Sequence, residues 1–426
     1  FNLLTSVMDD MRPENKYLHL MDEQEAITKA QALLNRPGDA NVSPLAVYRR
    51  AAKADSVQQR RPNVVLIMME SMSAEFMKHF GQSETLTPFL DSLYTRSISF
   101  RNFYSAGIHT NHGLYATLYS FPAMMKRNLM KGSVIPRYSG LPTVLKENGY
   151  YNLFFMTHEG QYDNMNAFFR TNGYDEVFSQ EDYPADKVVN SFGVQDDFLY
   201  DYAIPVLNQR AATGQPFFAT LLSISNHPPY VIPPFFHPKT SEPETQIVEY
   251  ADWALRQFFE EARKQPWFDN TIFVLEGDHG KLVGDAECEL PESYNHIPLM
   301  IYSSRIQPEE KTTFGGQVDI QPTILGLLNI DYLQNNFGVD LLKEERPCMF
   351  YTADNMVVGR NDTLLYLYNY ETQQELTYDI GNGKLNAVPM DDSFLPLKEY
   401  SFSMLQSAEF LVKHGKTLNS IPFTQQ

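Results

Sequence analysis

An α/β domain with a mainly parallel central sheet flanked by helices is what this sequence predicts, with a small antiparallel α+β unit after it. Three observations carry the prediction. Short apolar runs of strand length alternate with stretches of helix length. The runs are apolar at nearly every position, as strands covered on both faces are. After about residue 345 the rhythm changes to short strands separated by turn residues.

The elements follow in order. Residues 1 to 60 are polar with helical stretches such as MDEQEAITKAQALLN, and close on AAKADSVQQRRPN, a linker or packing arm. NVVLIMME, Asn63 to Glu70, is the first buried strand. TPFLDSLY is a helix with Thr87 as its cap and Pro88 in first position. LPTVLKENGY is a helix stopped by Gly149, and the strand YNLFFMT follows it. PFFATLLSIS and TIFVLEGD are two further strands, with the amphipathic helix DWALRQFFEEARK between them. Beyond residue 345, CMFYTA, MVVGRND, LLYLYNY and QELTYDI are strands, and SFSMLQSAEFLVKHG is a helix on one face of them. The expected division is a helical arm over 1–60, a catalytic domain over 61–340 and a small subdomain over 341–426. Asp319, ahead of Pro322, reads as a helix cap, and Asp196 and Asp197 read as structural.

Bulk properties exclude some functions. The 426 residues suffice for a large core, and 43% hydrophobic with 20% charged residues is a globular composition. A net charge of -18 argues against nucleic acid as a partner, and against docking on anionic lipid by charge alone. No run of about 18 apolar residues is present to span a membrane. The start at Phe1 lacks a basic-then-apolar leader, which predicts a processed or trimmed product. Cys288 and Cys348 allow one disulfide at most, so this is no disulfide scaffold.

Function in open α/β sheets gathers at the carboxyl ends of the strands. There the apolar runs deliver Glu70, His158, the pair Asn226 and His227, and the pair Asp278 and His279. Any one of these also reads as a strand-end cap; four in succession point to a site. Carboxylate and imidazole together suit a hard or borderline divalent cation with an open coordination position. Thr110, in SAGIHTNHGLYATLYSF, is the group such a cation would activate, since metal coordination lowers a hydroxyl pKa.

NVVLIMMES, GIHTNHGL, SISNHPPY, EGDHG and VDIQPTILGLLNI occur in the order found in the sulfatase-like branch of the alkaline phosphatase superfamily. Within it the chain resembles the lipoteichoic acid synthase family of phosphoglycerol transferases, over about residues 60 to 335 and in outline beyond. The resemblance implies that Glu70, Asp278 and His279 are metal ligands with Thr110 as the fourth. It implies that Thr110 takes up phosphoglycerol as a phosphothreonine, and that His158 and His227 line the substrate pocket. On that resemblance His227 is expected to bind a phosphate oxygen or to protonate the leaving alkoxide. It implies manganese, with magnesium or zinc as relatives' choices. It further implies a phosphatidylglycerol-type donor, a glycan, glycerol or glycolipid acceptor, and an extracytoplasmic catalytic domain attached to the cell membrane.

The match frays in three places. His109 stands where some members have a basic residue, and His109 and His112 are pocket groups or structural caps. Asp163 and Met165 stand near a Trp and an Arg of the family's glycerol phosphate pocket, so that carry-over fails; Asp163 either binds glycerol hydroxyls or an ammonium headgroup, or is a solvated loop acid. His296, in YNHIPLMIY, is a group near the metal or a core histidine. The competing readings are a phosphoethanolamine transferase, a phosphodiesterase, a sulfatase and a non-catalytic domain. The sulfatase reading lacks a Cys-x-Pro-x-Arg stretch, and the non-catalytic one is opposed by the intact Glu70, Thr110, Asp278 and His279 set.

Overall fold

Asn63–Met69 (β1) is buried along its whole length, and its side chains divide by parity. Val64, Leu66 and Met68 enter one apolar cluster, while Val65, Ile67 and Met69 enter another. A period of two with both sets apolar requires a sheet covered on both faces. The remaining strands of that sheet are Ile98–Tyr104 (β2), Tyr151–Met156 (β3), Glu176–Phe178 (β4), Phe217–Leu222 (β5), Thr271–Gly277 (β6), Leu299–Tyr302 (β7) and Glu309–Gly316 (β8). Their spatial order is β4-β3-β5-β1-β6-β7-β2-β8. Of these eight, β7 alone runs against its neighbours. The computed structural model describes residues 17–36, 47, 49–50, 61–132 and 134–419. Most of the expected linker, residues 51–60, lies outside them.

The helices used below are Glu23–Leu34 (α1), Pro88–Tyr94 (α2), Thr110–Tyr119 (α3), Leu141–Glu147 (α4), Met165–Thr171 (α5), Asp196–Ala211 (α6), Pro243–Ala262 (α7), Ile320–Leu327 (α8) and Leu395–Lys413 (α9). α2, α6 and α7 share a cluster with one face of the sheet. α3, α4, α5 and α8 share a cluster with the other. Among the described residues no helix is long and apolar enough to cross a membrane.

A second sheet follows: Met349–Thr352 (β9), Met356–Arg360 (β10), Leu364–Asn369 (β11), Glu375–Asp379 (β12) and Asn386–Ala387 (β13), antiparallel and in chain order. α9 lies so close on it that a β-carbon at Gly359 would come within 2.7 Å of the Leu397 carbonyl oxygen. The apolar cluster containing α3 and α8 continues through Phe350, Tyr366 and Leu405, so both sheets share a core. Helix α1 belongs to this end: Lys413 pairs with Glu23 at 2.8 Å, and Leu18 N donates to Glu409 at 3.1 Å.

Three local expectations need correction. The Thr87 hydroxyl does not cap α2 but donates to the Phe76 carbonyl and to Asp91. The cap is Asp252 of α7, whose carboxylate accepts from Phe89 N and Leu90 N at 2.9 Å each. Asp319 is not a side-chain cap of α8. It is buried, accepts from Gly316 N and Val339 N, and is held by the Arg346 guanidinium. Helix α9 starts at Leu395 rather than near Ser401, because Leu397 and Tyr400 are buried in the shared core and Pro396 fits a first turn.

Candidate active site

The register of β1 against β6 sets the site. Met69 lies opposite Gly277, so the next residues, Glu70 and Asp278, leave the sheet side by side. Ser71 turns the chain with φ of 50°. Its hydroxyl donates to Glu70 Oε1 at 2.6 Å and its backbone N–H to Asp278 Oδ1 at 2.8 Å. His279 N donates to the same Oδ1 at 2.7 Å, while Asp278 Oδ2 is buried with no hydrogen-bond partner. α3 approaches from the other face. Gly113 allows it, since a β-carbon there would lie 2.3 Å from the Asp278 carbonyl oxygen. That approach puts Thr110, the first residue of α3, at the cluster, with Oγ1 donating to Glu70 Oε2 at 3.3 Å. The positive end of the helix dipole therefore faces the same point.

Three histidines are oriented alike. His158, His227 and His279 each donate Nδ1–H to the carbonyl of the following residue, at 3.2, 2.6 and 2.7 Å. This selects the tautomer that leaves Nε2 as a lone-pair donor. The Nε2 of His279 lies 3.7 Å from both Glu70 Oε1 and Asp278 Oδ2. Burial, and then the charge of Glu70, push the Asp278 carboxyl well above its ordinary range. Two buried carboxylates, an unpartnered carboxylate oxygen and an imidazole lone pair meeting at one point fit a divalent cation. Glu70, Asp278 and His279 could hold it.

A cleft of about 670 Å³ opens above Thr110 and His279. Of the expected pocket residues, His109, Asp163 and His227 line it. His109 donates Nε2–H to Asp354 at 2.6 Å, a residue brought in by the turn between β9 and β10. Asp163 pairs with Lys131 at 2.7 Å and accepts from Asn111 at 3.3 Å.

The others stand back from the cleft. His158 is buried, with its ring 4.6 Å from that of Tyr162, which lines the cleft in its place. His112 is fully buried, and burial first, then His109 and His279, push its pKa down to about 3. It packs against Gly107 and is not among the residues that line the cleft. Asn226 is buried too, donating to the Ser71 carbonyl at 3.0 Å and accepting from Lys281. Met165 is in the core. His296 is outside the metal-ligand cluster: it donates Nε2–H to the Arg101 carbonyl at 2.8 Å and packs on Tyr104 and Phe80. Cys288 and Cys348 are unpaired thiols.

Sequence reasoning missed Lys281, Tyr230, Ser71 and Asp354. A basic residue two places after His279 was a usable signal for the first; Asp354 carried none, being 245 residues from its partner.

Asp196 is structural, as expected, with a positioning consequence. Its Oδ1 accepts from Ile224 N at 2.9 Å and Ser225 N at 3.0 Å, fixing the loop that carries Asn226 and His227. Burial pushes its carboxyl up to about 6 from the ordinary 3.8. The unfolded chain therefore releases this proton first, and the group's contribution to stability falls as pH rises from about 4 to about 6. Asp196→Asn keeps the Oδ1 acceptor without the titration. Urea unfolding should show its stability relative to the parent rising by about 3 kcal/mol at most between about pH 4 and pH 7. A pH-independent difference refutes this.

Comparison with known proteins places the site in a family. The sequence model of the Sulfatase family matches residues 62–330. Lipoteichoic acid synthase 1 of Bacillus subtilis is 25% identical over 350 residues, covering 76% of this chain and 53% of that protein. Lipoteichoic acid synthase of Staphylococcus aureus (strain USA300) is 23% identical over 374 residues, covering 78% and 54%. The chain thus spans about half the length of the curated relatives it matches. A Vibrio parahaemolyticus protein in the alkaline phosphatase superfamily superposes with a TM-score of 0.82 at 26% identity, over 93% of this chain and 98% of that one. The lipoteichoic acid synthase LtaP from Listeria monocytogenes shares the fold, with a TM-score of 0.72 at 21% identity over 83% and 93%. With the family match running from just before β1 into the loop after α8, and with the whole sheet retained, this chain belongs to the sulfatase family, within the alkaline phosphatase superfamily.

Proposed function

We propose that this protein is a phosphoglycerol transferase acting through Thr110. The observation that carries the reading is the Thr110 hydroxyl, 3.3 Å from Glu70 and held at a helix N-terminus on the floor of an open cleft. The similarity to lipoteichoic acid synthases supports the substrate class. When bound by Glu70, Asp278 and His279, a divalent cation, manganese in this reading, supplies Lewis acidity to the hydroxyl and to the phosphoryl group.

The donor is a phosphatidylglycerol-type lipid, which confines the work to a membrane surface on the extracytoplasmic face. Thr110 Oγ attacks the phosphorus, its bond to phosphorus forms, and the bond to the diacylglycerol oxygen breaks. The proton lost by Thr110 is balanced by the one the leaving alkoxide gains, and His227, which lines the cleft, delivers that proton from Nε2 in its imidazolium form, with Nδ1–H kept on the Pro228 carbonyl. A hydroxyl of a glycan, glycerol or glycolipid then attacks the phosphothreonine and returns a proton to Thr110. The two half-reactions predict ping-pong kinetics.

Asp163 favours a polyol over an ammonium headgroup, because Lys131 already offsets its charge. A sulfatase reading lacks a nucleophile: Thr110, not a cysteine, stands at the cluster, and Cys348 is buried in the core. Incubation with labelled phosphatidylglycerol or phosphatidylethanolamine, read by intact mass, tests the proposal. A phosphoglycerol adduct on Thr110 is expected, and a phosphoethanolamine adduct or none overturns it.

The metal part has its own measurement. Manganese at about 100 times Kd should stabilise the parent by about 2.7 kcal/mol in thermal unfolding. Asp278→Ala should lose that shift, and a shift of unchanged size in this variant argues against the assigned ligands.

A further inference from the structure

Lys281 follows Gly280 in the loop after β6, and it lines the cleft that holds Thr110 and His279. Its ammonium donates to Asn226 Oδ1 and, at 3.2 Å, to the Tyr230 hydroxyl. It also sits over two rings, with Nζ 4.8 Å from the centroid of Tyr230 and 5.3 Å from that of Phe76. These hydrogen-bond and ring partners are neutral and hold the ammonium in place without cancelling its charge. The carboxylates of Glu70 and of Glu244, which lines the same cleft, act on it through space. An ammonium has three donors, and two are committed here. Asn226 is itself fixed on the Ser71 carbonyl, next to Glu70, so the cation is tied to the same turn that builds the metal cluster. A part-buried ammonium on the wall of the cleft, with one N–H uncommitted, has room for an anionic oxygen as a direct partner.

The geometry points to Lys281 as the residue that binds a non-bridging oxygen of the donor's phosphodiester. Lys281 transfers no atom: the bond from Thr110 to phosphorus forms and the bond to the diacylglycerol oxygen breaks, while the ammonium offsets charge gathering on the equatorial oxygens. The inference rests on the transferase reading above and adds to it a phosphate-contacting cation outside the metal cluster.

Lys281→Met and Lys281→Arg in the full chain test it. The second-order rate of adduct formation on Thr110 should fall by about 10²- to 10³-fold in Lys281→Met, and Lys281→Arg should recover part of the loss. Manganese affinity and melting temperature should stay at the parent's values. An independent arm titrates inorganic phosphate into manganese-loaded protein by calorimetry, where Lys281→Met should raise Kd by about 10- to 100-fold. Adduct formation at the parent's rate, or an unchanged phosphate Kd, overturns the proposal, and so does a loss confined to manganese affinity. A parent that takes up no adduct sinks the transferase reading instead, and the phosphate titration still decides Lys281.

Discussion

Thr110→Ala should acquire no covalent adduct and should lose turnover of the donor lipid by at least about 10³-fold, since the proposed nucleophile is gone. The change leaves Glu70, Asp278 and His279 in place, so metal binding should persist. It removes one hydrogen bond of 3.3 Å from a half-exposed hydroxyl, so stability should fall by only about 1 kcal/mol. Thr110→Ser keeps a hydroxyl at the helix start and should retain measurable adduct formation. Intact mass after a short incubation reads the adduct, and released diacylglycerol reads the turnover. Turnover at the parent's level in Thr110→Ala would mean that another group, or water, attacks phosphorus, and the two-step scheme would fall.

The second large effect is structural. Arg346 and Asp319 are both buried, and the guanidinium Nε lies 2.9 and 3.1 Å from the two carboxylate oxygens. Arg346 also donates to the Tyr400 hydroxyl of α9 and the Phe337 carbonyl, at 2.6 Å each. Asp319 accepts from Gly316 N at 2.9 Å and Val339 N at 2.8 Å. The pair thus ties the end of β8 and the start of α8 to the helix of the second sheet. Arg346→Met strands a buried carboxylate and should cost about 3–5 kcal/mol in denaturant unfolding. Adding Asp319→Asn should recover part of that, because the cost lies in the uncompensated charge more than in the lost attraction. A single variant within about 0.5 kcal/mol of the parent would show that water reaches the pair. The neighbouring Gln317 donates to the Asp278 carbonyl at 2.7 Å, so local loosening here should also be felt at the cluster of Glu70, Asp278 and His279.

The strands were legible because each is a contiguous apolar run, and burial on both faces leaves that mark on nearly every residue of β1, β3, β5 and β6. The residues at their ends were legible for the same reason: Glu70, Asp278 and His279 adjoin their strands, and parallel pairing in register can only bring them together. Thr110 was legible from its motif, which the family resemblance supplied.

What stayed hidden was the outcome of competition among equal candidates. Ten histidines present the same side chain to a sequence reader, yet His279 faces two carboxylates, His112 is neutral in the core and His296 stacks on tyrosine. Thr87 satisfied the local rule for a cap, and Asp252, 163 residues from Phe89, took the place. Lys281 and Asp354 matter through Asn226 and His109, partners 55 and 245 residues away. Local pattern determined the layers, the strand ends and the chemistry brought to one edge of the sheet, because those depend on neighbours in the chain. Which polar groups face the cleft and which are buried with a partner were decided by tertiary packing, because each buried polar group takes the partner that the fold brings within reach.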